Sequence, residues 1–151
     1  MKTTTLNRSL VIAALAAALA AGCATDPLRP APPVPDGGEK ISLSGRNEVP
    51  PVSTGASGSG TFWVAADCSV KGGVAVKGMA ATAAHIHVGA AGANGPVAVP
   101  LNKTEDNAFA VPKDAKLNES QCASYRSGNT YVNVHSAAHP NGEVRAQLRG
   151  R

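Results

Sequence analysis

The chain has 151 residues, a formal charge of +4, and 43% hydrophobic but only 3% aromatic residues. That length allows one small domain with a limited core. The modest charge, with no lysine–arginine cluster, argues against nucleic acid as a partner. Lys2 and Arg8 precede an apolar run of 12 residues, Leu10 to Ala21. Such a run is too short to span a bilayer as a helix and reads as a secretion signal over residues 1–22. Without Lys2 and Arg8, 12 basic and 10 acidic residues remain, a net charge of +2.

Gly22-Cys23 follows the apolar run. It resembles the lipobox of bacterial lipoproteins, although Ala20 stands where those signals usually have leucine. The resemblance implies cleavage before Cys23 and acylation of its thiol. The alternative is an ordinary secretory signal cut near Ala20-Ala21-Gly22, with Cys23 left as a free thiol. Residue 24 is Ala rather than Asp, which in that lipoprotein class implies the periplasmic face of the outer membrane. The membrane, reached through the lipid, is thus the first expected partner. Residues 23–39 carry Pro27, Pro30, Pro32, Pro33 and Pro35 and then Gly37-Gly38, a composition that makes a tether rather than a packed element. The folded domain is expected over residues 40–151.

Ile41 and Leu43 alternate with polar neighbours and open the domain as a strand. Asn47-Glu48-Val49-Pro50-Pro51-Val52 interrupts the pairing, because proline offers no N–H to a ladder. A Gly/Ser/Thr-rich stretch, Ser53 to Gly60, leads to the alternation of Phe62, Val64 and Ala66. Asp67-Cys68 reads as a turn. Val70, Gly72, Val74 and Val76 alternate with Lys71, Gly73, Ala75 and Lys77, a half-exposed antiparallel strand. Gly72-Gly73 within it suggests a bulge or a close crossing. The strand Ala84-His85-Ile86-His87-Val88 follows. Gly89 to Pro96 is a glycine loop without the lysine or the following helix of a phosphate-binding loop. Its glycines suit positive φ. Pro96 to Leu101 and Asn107 to Val111 are short strands, and Lys113 to Arg126 is the one plausible helix, with Leu117, Cys122 and Ala123 inward. Tyr131-Val132-Asn133-Val134-His135 is a second histidine strand. The turn His139-Pro140-Asn141-Gly142, a hairpin signal, joins it to the last strand, Glu143 to Leu148.

About eight strands with Gly/Pro turns and at most one short helix specify an all-β antiparallel domain, a Greek-key sandwich in preference to a closed barrel. In an exported domain Cys68 and Cys122 are expected to form a disulfide. The competing role for the two thiols, as metal or redox ligands, lacks any CxxC spacing.

Five blocks occur in order: Asn47-Glu48-Val49-Pro50-Pro51-Val52, Ala84-His85-Ile86-His87-Val88-Gly89, Asn94-Gly95-Pro96-Val97, Tyr131-Val132-Asn133-Val134-His135 and Pro140-Asn141-Gly142-Glu143-Val144-Arg145. Together they resemble the CHRD domain, known as repeats in chordin and as single copies in bacterial secreted proteins. In chordin the protein sequesters growth-factor ligands, so the resemblance implies a binding or structural role. His85-Ile86-His87 with Val134-His135 also resembles, more weakly, the copper-ligand layout of Cu/Zn superoxide dismutases. The zinc histidines, their aspartate and the electrostatic loop of those enzymes have no counterpart here.

Period-two reading puts Ile86, Val88, Val132 and Val134 in the core and His85, His87, Tyr131, Asn133 and His135 on the other face. Two roles stand open for that face. One is a structural network of Glu48, Tyr131, Asn133, Glu143 and Arg145 with the histidines, including a cross-sheet pair between Arg145 and Glu143. The other is a copper or zinc site of His85, His87 and His135, with His139 or Glu143 as a fourth ligand. No Gly-x-Ser-x-Gly elbow is present, and redox chemistry would require bound copper. The expectation is a non-enzymatic, lipid-anchored envelope domain that binds a protein, a surface polymer or a metal.

Overall fold

The computed structural model describes Pro35 and residues 37–150. Residues 1–22, read above as a secretion signal, Cys23 and most of the segment read as a tether lie outside the described residues. Nine strands form: β1 (Glu39–Ser44), β2 (Ser57–Val64), β3 (Val70–Lys77), β4 (Ala81–Val88), β5 (Val97–Pro100), β6 (Asn102–Glu105), β7 (Ala108–Ala110), β8 (Thr130–Ser136) and β9 (Val144–Leu148). Among the described residues one α-helix, α1 (Glu119–Arg126), precedes β8. The strands make one antiparallel sheet in the order β5-β4-β8-β9-β1-β2-β3-β7-β6. Its two edge strands, β5 and β6, are separated in sequence only by Leu101, whose N–H donates to Ala84 O at 3.0 Å. The sheet therefore curls back toward itself into a nearly closed barrel with facing, sandwich-like walls. The all-β antiparallel expectation holds.

β6 is a ninth strand that the apolar alternation does not mark, because its residues are largely exposed. β2 begins at Ser57, inside the Gly/Ser/Thr-rich stretch. Its ladder to β1 and β3 is continuous, and pairing on both sides offsets the poor intrinsic strand preference of glycine. Gly72 and Gly73 mark close packing rather than a bulge. The β2–β3 register is unbroken there. A Cβ on Gly72, whose φ is 142°, would lie 2.8 Å from Phe62 Cα, and one on Gly73 would lie 2.7 Å from Phe109 O.

The helix is shorter than Lys113 to Arg126. Asp114 has φ 61°, a left-handed conformation that an α-helix cannot include. α1 instead starts after Asn118, whose side chain accepts from Gln121 N–H at 2.9 Å while Gln121 Oε1 accepts from Asn118 N–H at 2.9 Å. This reciprocal capping box satisfies two donors at the helix start. Cys122 and Tyr125 face the core, whereas Ala123 is exposed. Cys122 is disulfide-bonded to Cys68, 54 residues away, and so ties α1 to the turn after β2.

The core holds Ile41, Leu43, Phe62, Ile86, Val132, Val134, Val144 and Leu148 among others. β8 is buried along its whole length, on both faces. The segments around Asn47–Val49 and Ala90–Asn94 meet above its polar face, where Asn94 Nδ2 donates to Val49 O at 2.7 Å. The face that period-two reading assigns to polar residues is thus a second, covered interior.

Candidate metal centre

β4 and β8 pair antiparallel with His85 opposite Asn133 and His87 opposite Tyr131. That register brings His85, His87 and His135 together, with one ligand atom from each lying within 4.8 Å of the others. His85 Nδ1 and His135 Nε2 are 2.9 Å apart. The ring centres are 4.8 Å apart for His85–His135, 5.5 Å for His85–His87 and 6.4 Å for His87–His135.

Backbone carbonyls fix two of the imidazoles. His87 Nδ1 lies 2.9 Å from Gly95 O, and His135 Nδ1 lies 3.0 Å from Pro140 O. A carbonyl can only accept, so each Nδ1 carries the proton and each Nε2 presents a lone pair inward. His87 Nε2 is buried without a hydrogen bond of normal geometry. The Asn133 amide is close enough to favour the charged His87 ring slightly, but the absence of a proper bond is the stronger statement about that nitrogen. His135 Nε2 also faces Asn133 Oδ1 at 3.0 Å. Two acceptors at that distance repel unless a proton or a cation lies between them.

Burial is the main cause that holds all three histidines below their ordinary pKa. For His85 and His135 the neighbouring imidazoles push in the same direction. For His87 the buried Arg145 guanidinium does so. Neutral rings are the form that binds a metal ion.

The polar network lies behind this group. The His87 ring stacks on Tyr131, with centres 4.8 Å apart, and the Arg145 guanidinium lies 3.3 Å from the Tyr131 centre. Tyr131 Oη accepts from Gly95 N–H at 3.2 Å. Arg145, 1% exposed, donates to Ala93 O at 2.9 Å, Ala90 O at 3.2 Å and Asn94 Oδ1 at 3.2 Å. The expected Arg145–Glu143 pair does not form. Glu143 accepts instead from Thr54 Oγ1 at 2.7 Å and from Ser136 Oγ, and the carboxylate that acts on Arg145 is Glu48, through its charge rather than through a direct ion pair. Glu48 is 4% exposed and its Oε1 has no hydrogen-bond partner. Burial raises its pKa from 4.5 to about 7, against the attraction of Arg145 and the weaker pull of the nearby Val49 N–H and Asn133 amide.

Neither His139 nor Glu143 belongs to the imidazole group. His139 lines a cleft with Glu48, Pro50 and Pro140. Asn94, Gly95 and Pro140 contribute to the site mainly through backbone carbonyls or an amide. The glycine loop and the Pro-Asn-Gly turn are legible in the sequence, but a carbonyl carries no side-chain signature.

The chemistry on offer is therefore two or three neutral imidazole nitrogens converging at one point, one of them an orphaned buried acceptor, with tautomers locked by backbone. No curated protein and no solved structure matches the chain. The family model of the CHRD domain matches residues 40–148, which takes in both histidine strands, the glycine loop and the Glu48 and Arg145 segments. The protein belongs to the CHRD domain family.

Proposed function

We propose that this CHRD domain is a transition-metal-binding module, tethered at the cell envelope through Cys23, that holds copper or zinc on His85, His87 and His135. CHRD domains form a family of binding and structural domains rather than enzymes, and a metal-holding role fits within that description. The observation that carries the reading is the pair of Nδ1–H groups donated to Gly95 O and Pro140 O. Metal-ligating histidines commonly donate the second ring nitrogen to a carbonyl or carboxylate, which fixes tautomer and orientation. Here that arrangement leaves His87 Nε2 buried with nothing to bond, a cost a native structure tolerates only for a reason.

The purified domain is assayed by elemental analysis and then titrated with Cu(II) and Zn(II). One ion per chain is expected, with affinity lost in His87→Ala and His135→Ala. Absence of stoichiometric metal, together with titrations that the two substitutions leave unchanged, would reduce the histidines to members of the structural network around Arg145. Attachment to the envelope is tested separately, by mass spectrometry of the N-terminal peptide for an acylated Cys23.

A further inference from the structure

Resting on that metal reading, we infer that the centre is built for a tetragonal ion, copper(II), and that Asn133 Oδ1 is its fourth donor. The argument starts from donor spacing. With metal–ligand bonds of about 2.0 Å, a tetrahedral ion separates its donors by about 3.3 Å, whereas right-angled neighbours in a square plane stand about 2.8 Å apart. His135 Nε2 lies 2.9 Å from His85 Nδ1 and 3.0 Å from Asn133 Oδ1. Both spacings are those of right-angled neighbours. The remaining direction from His135 is the opposite one. Two imidazoles on opposite sides of one ion put their ring centres about 6 Å apart, and His87 and His135 are separated by 6.4 Å. A tetragonal ion bound here would have His87 across from His135 and His85 across from Asn133, and it would draw together the His85 and His87 rings, whose centres are 5.5 Å apart.

His85 and Asn133 are direct cross-strand partners, so both project from the same level of this face. The orientation of the amide is fixed from behind. Asn133 Nδ2 and Glu48 Oε1 both stand beside Gly142, so the amide nitrogen is on the Glu48 side and the oxygen faces His135 Nε2. Gly142 holds this arrangement by lacking a side chain. A Cβ there would lie 2.6 Å from Glu48 Oε1 and 2.7 Å from Asn133 Nδ2. A tetragonal set of nitrogen and oxygen donors suits Cu(II), whereas zinc has no electronic reason to choose it over a tetrahedron. The same reasoning removes the clash of acceptors, since Asn133 Oδ1 and His135 Nε2 can share an edge when both point at a cation.

The test is electron paramagnetic resonance on the purified domain loaded with one equivalent of Cu(II), with Zn(II) titrated in parallel. The expected spectrum is axial with a large parallel hyperfine coupling, and pulsed measurements count three equatorial nitrogens. Asn133→Ala should change the parallel coupling, shift the visible d–d band and weaken Cu(II) binding roughly tenfold or more, while changing Zn(II) binding much less. Asn133→Asp, which keeps an oxygen at that position, should restore an axial spectrum. A rhombic spectrum with small parallel coupling, two or four equatorial nitrogens, or a spectrum that Asn133→Ala leaves unchanged would overturn the tetragonal assignment while the metal centre stands. The nitrogen count needs no variant, so it decides the matter even where Asn133→Ala does not fold. Failure to bind either metal would remove the metal reading itself.

Discussion

Glu48→Gln should flatten the pH dependence of stability in the metal-free domain. Glu48 is a carboxyl that folding buries at 4% exposure with one oxygen unpartnered. Its pKa rises from 4.5 to about 7, chiefly through desolvation. The folded state therefore holds the Glu48 proton more tightly than the unfolded state does. Below pH 4.5 both states are protonated and the group costs nothing. Between pH 4.5 and 7 the unfolded chain ionises while the folded chain resists, so stability falls, and above 7 the full cost is present. At about 1.4 kcal/mol per pH unit, the whole effect is about 3 kcal/mol. Roughly 2.5 kcal/mol of it falls between pH 5 and pH 8, because the unfolded carboxyl is already partly ionised at pH 5. Glutamine keeps the shape and an acceptor for Asn133 but cannot ionise. The assay is urea denaturation with chelator present, wild type against Glu48→Gln, at pH 5 and pH 8. The variant should gain on the wild type by about that amount at the higher pH. The histidines act in the opposite sense. Their depressed pKa values give stability that is complete above the ordinary 6.5 and lost as pH falls through the folded values. That contribution is common to both proteins and cancels in the comparison. Stability differences equal at the two pH values would refute the account of Glu48 as a buried, reluctantly ionised group.

Other expectations follow from the same geometry. Replacing Cys68 and Cys122 by serine should cost about 4 kcal/mol in chemical denaturation, the entropy of closing a loop of 54 residues, and an unchanged midpoint would contradict this. Gly142→Ala introduces a Cβ 2.6 Å from Glu48 Oε1 at a φ of 126°. It should destabilise the domain by about 1–3 kcal/mol and weaken metal binding, read by thermal unfolding and metal titration; wild-type values for both would count against the close packing. Bound metal should survive acidification to below pH 6.5, because the three imidazoles resist protonation there, and metal release monitored spectroscopically at a higher pH would argue against a buried neutral ligand set. Cys23→Ser should move the protein from the membrane to the soluble fraction, since stable anchoring needs several acyl chains; retention of the variant in membranes would exclude a lipid tether at that residue.

Much of this protein is determined locally. Alternation of Ile86 with His85 and His87, and of Val132 and Val134 with Tyr131, Asn133 and His135, sets strand phase, because the side-chain period of a strand is two. Hence three imidazoles were bound to share a face once β4 and β8 became neighbours. Proline and glycine punctuation set the number of strands to within one, and reading the chain as exported makes the Cys68–Cys122 bridge the natural pairing. Other features needed the tertiary structure. Glycines at 58 and 60 read as a connection until neighbouring ladders on both sides make them strand. Asp114 shortens the helix through a backbone angle that no periodicity encodes. Glu143 and Arg145 sit two apart on one strand face and look like partners, yet their charges are satisfied elsewhere. Arg145 reaches loop carbonyls more than 50 residues away in sequence, and Glu143 reaches Thr54. The covering of the polar face, the locking of His87 and His135 by Gly95 O and Pro140 O, and the burial that raises the pKa of Glu48 all arise from segments distant in sequence closing over β8. Side-chain phase is a property of neighbouring residues along the chain. Burial and carbonyl placement are properties of how distant segments meet, and for that reason only the folded chain decides them.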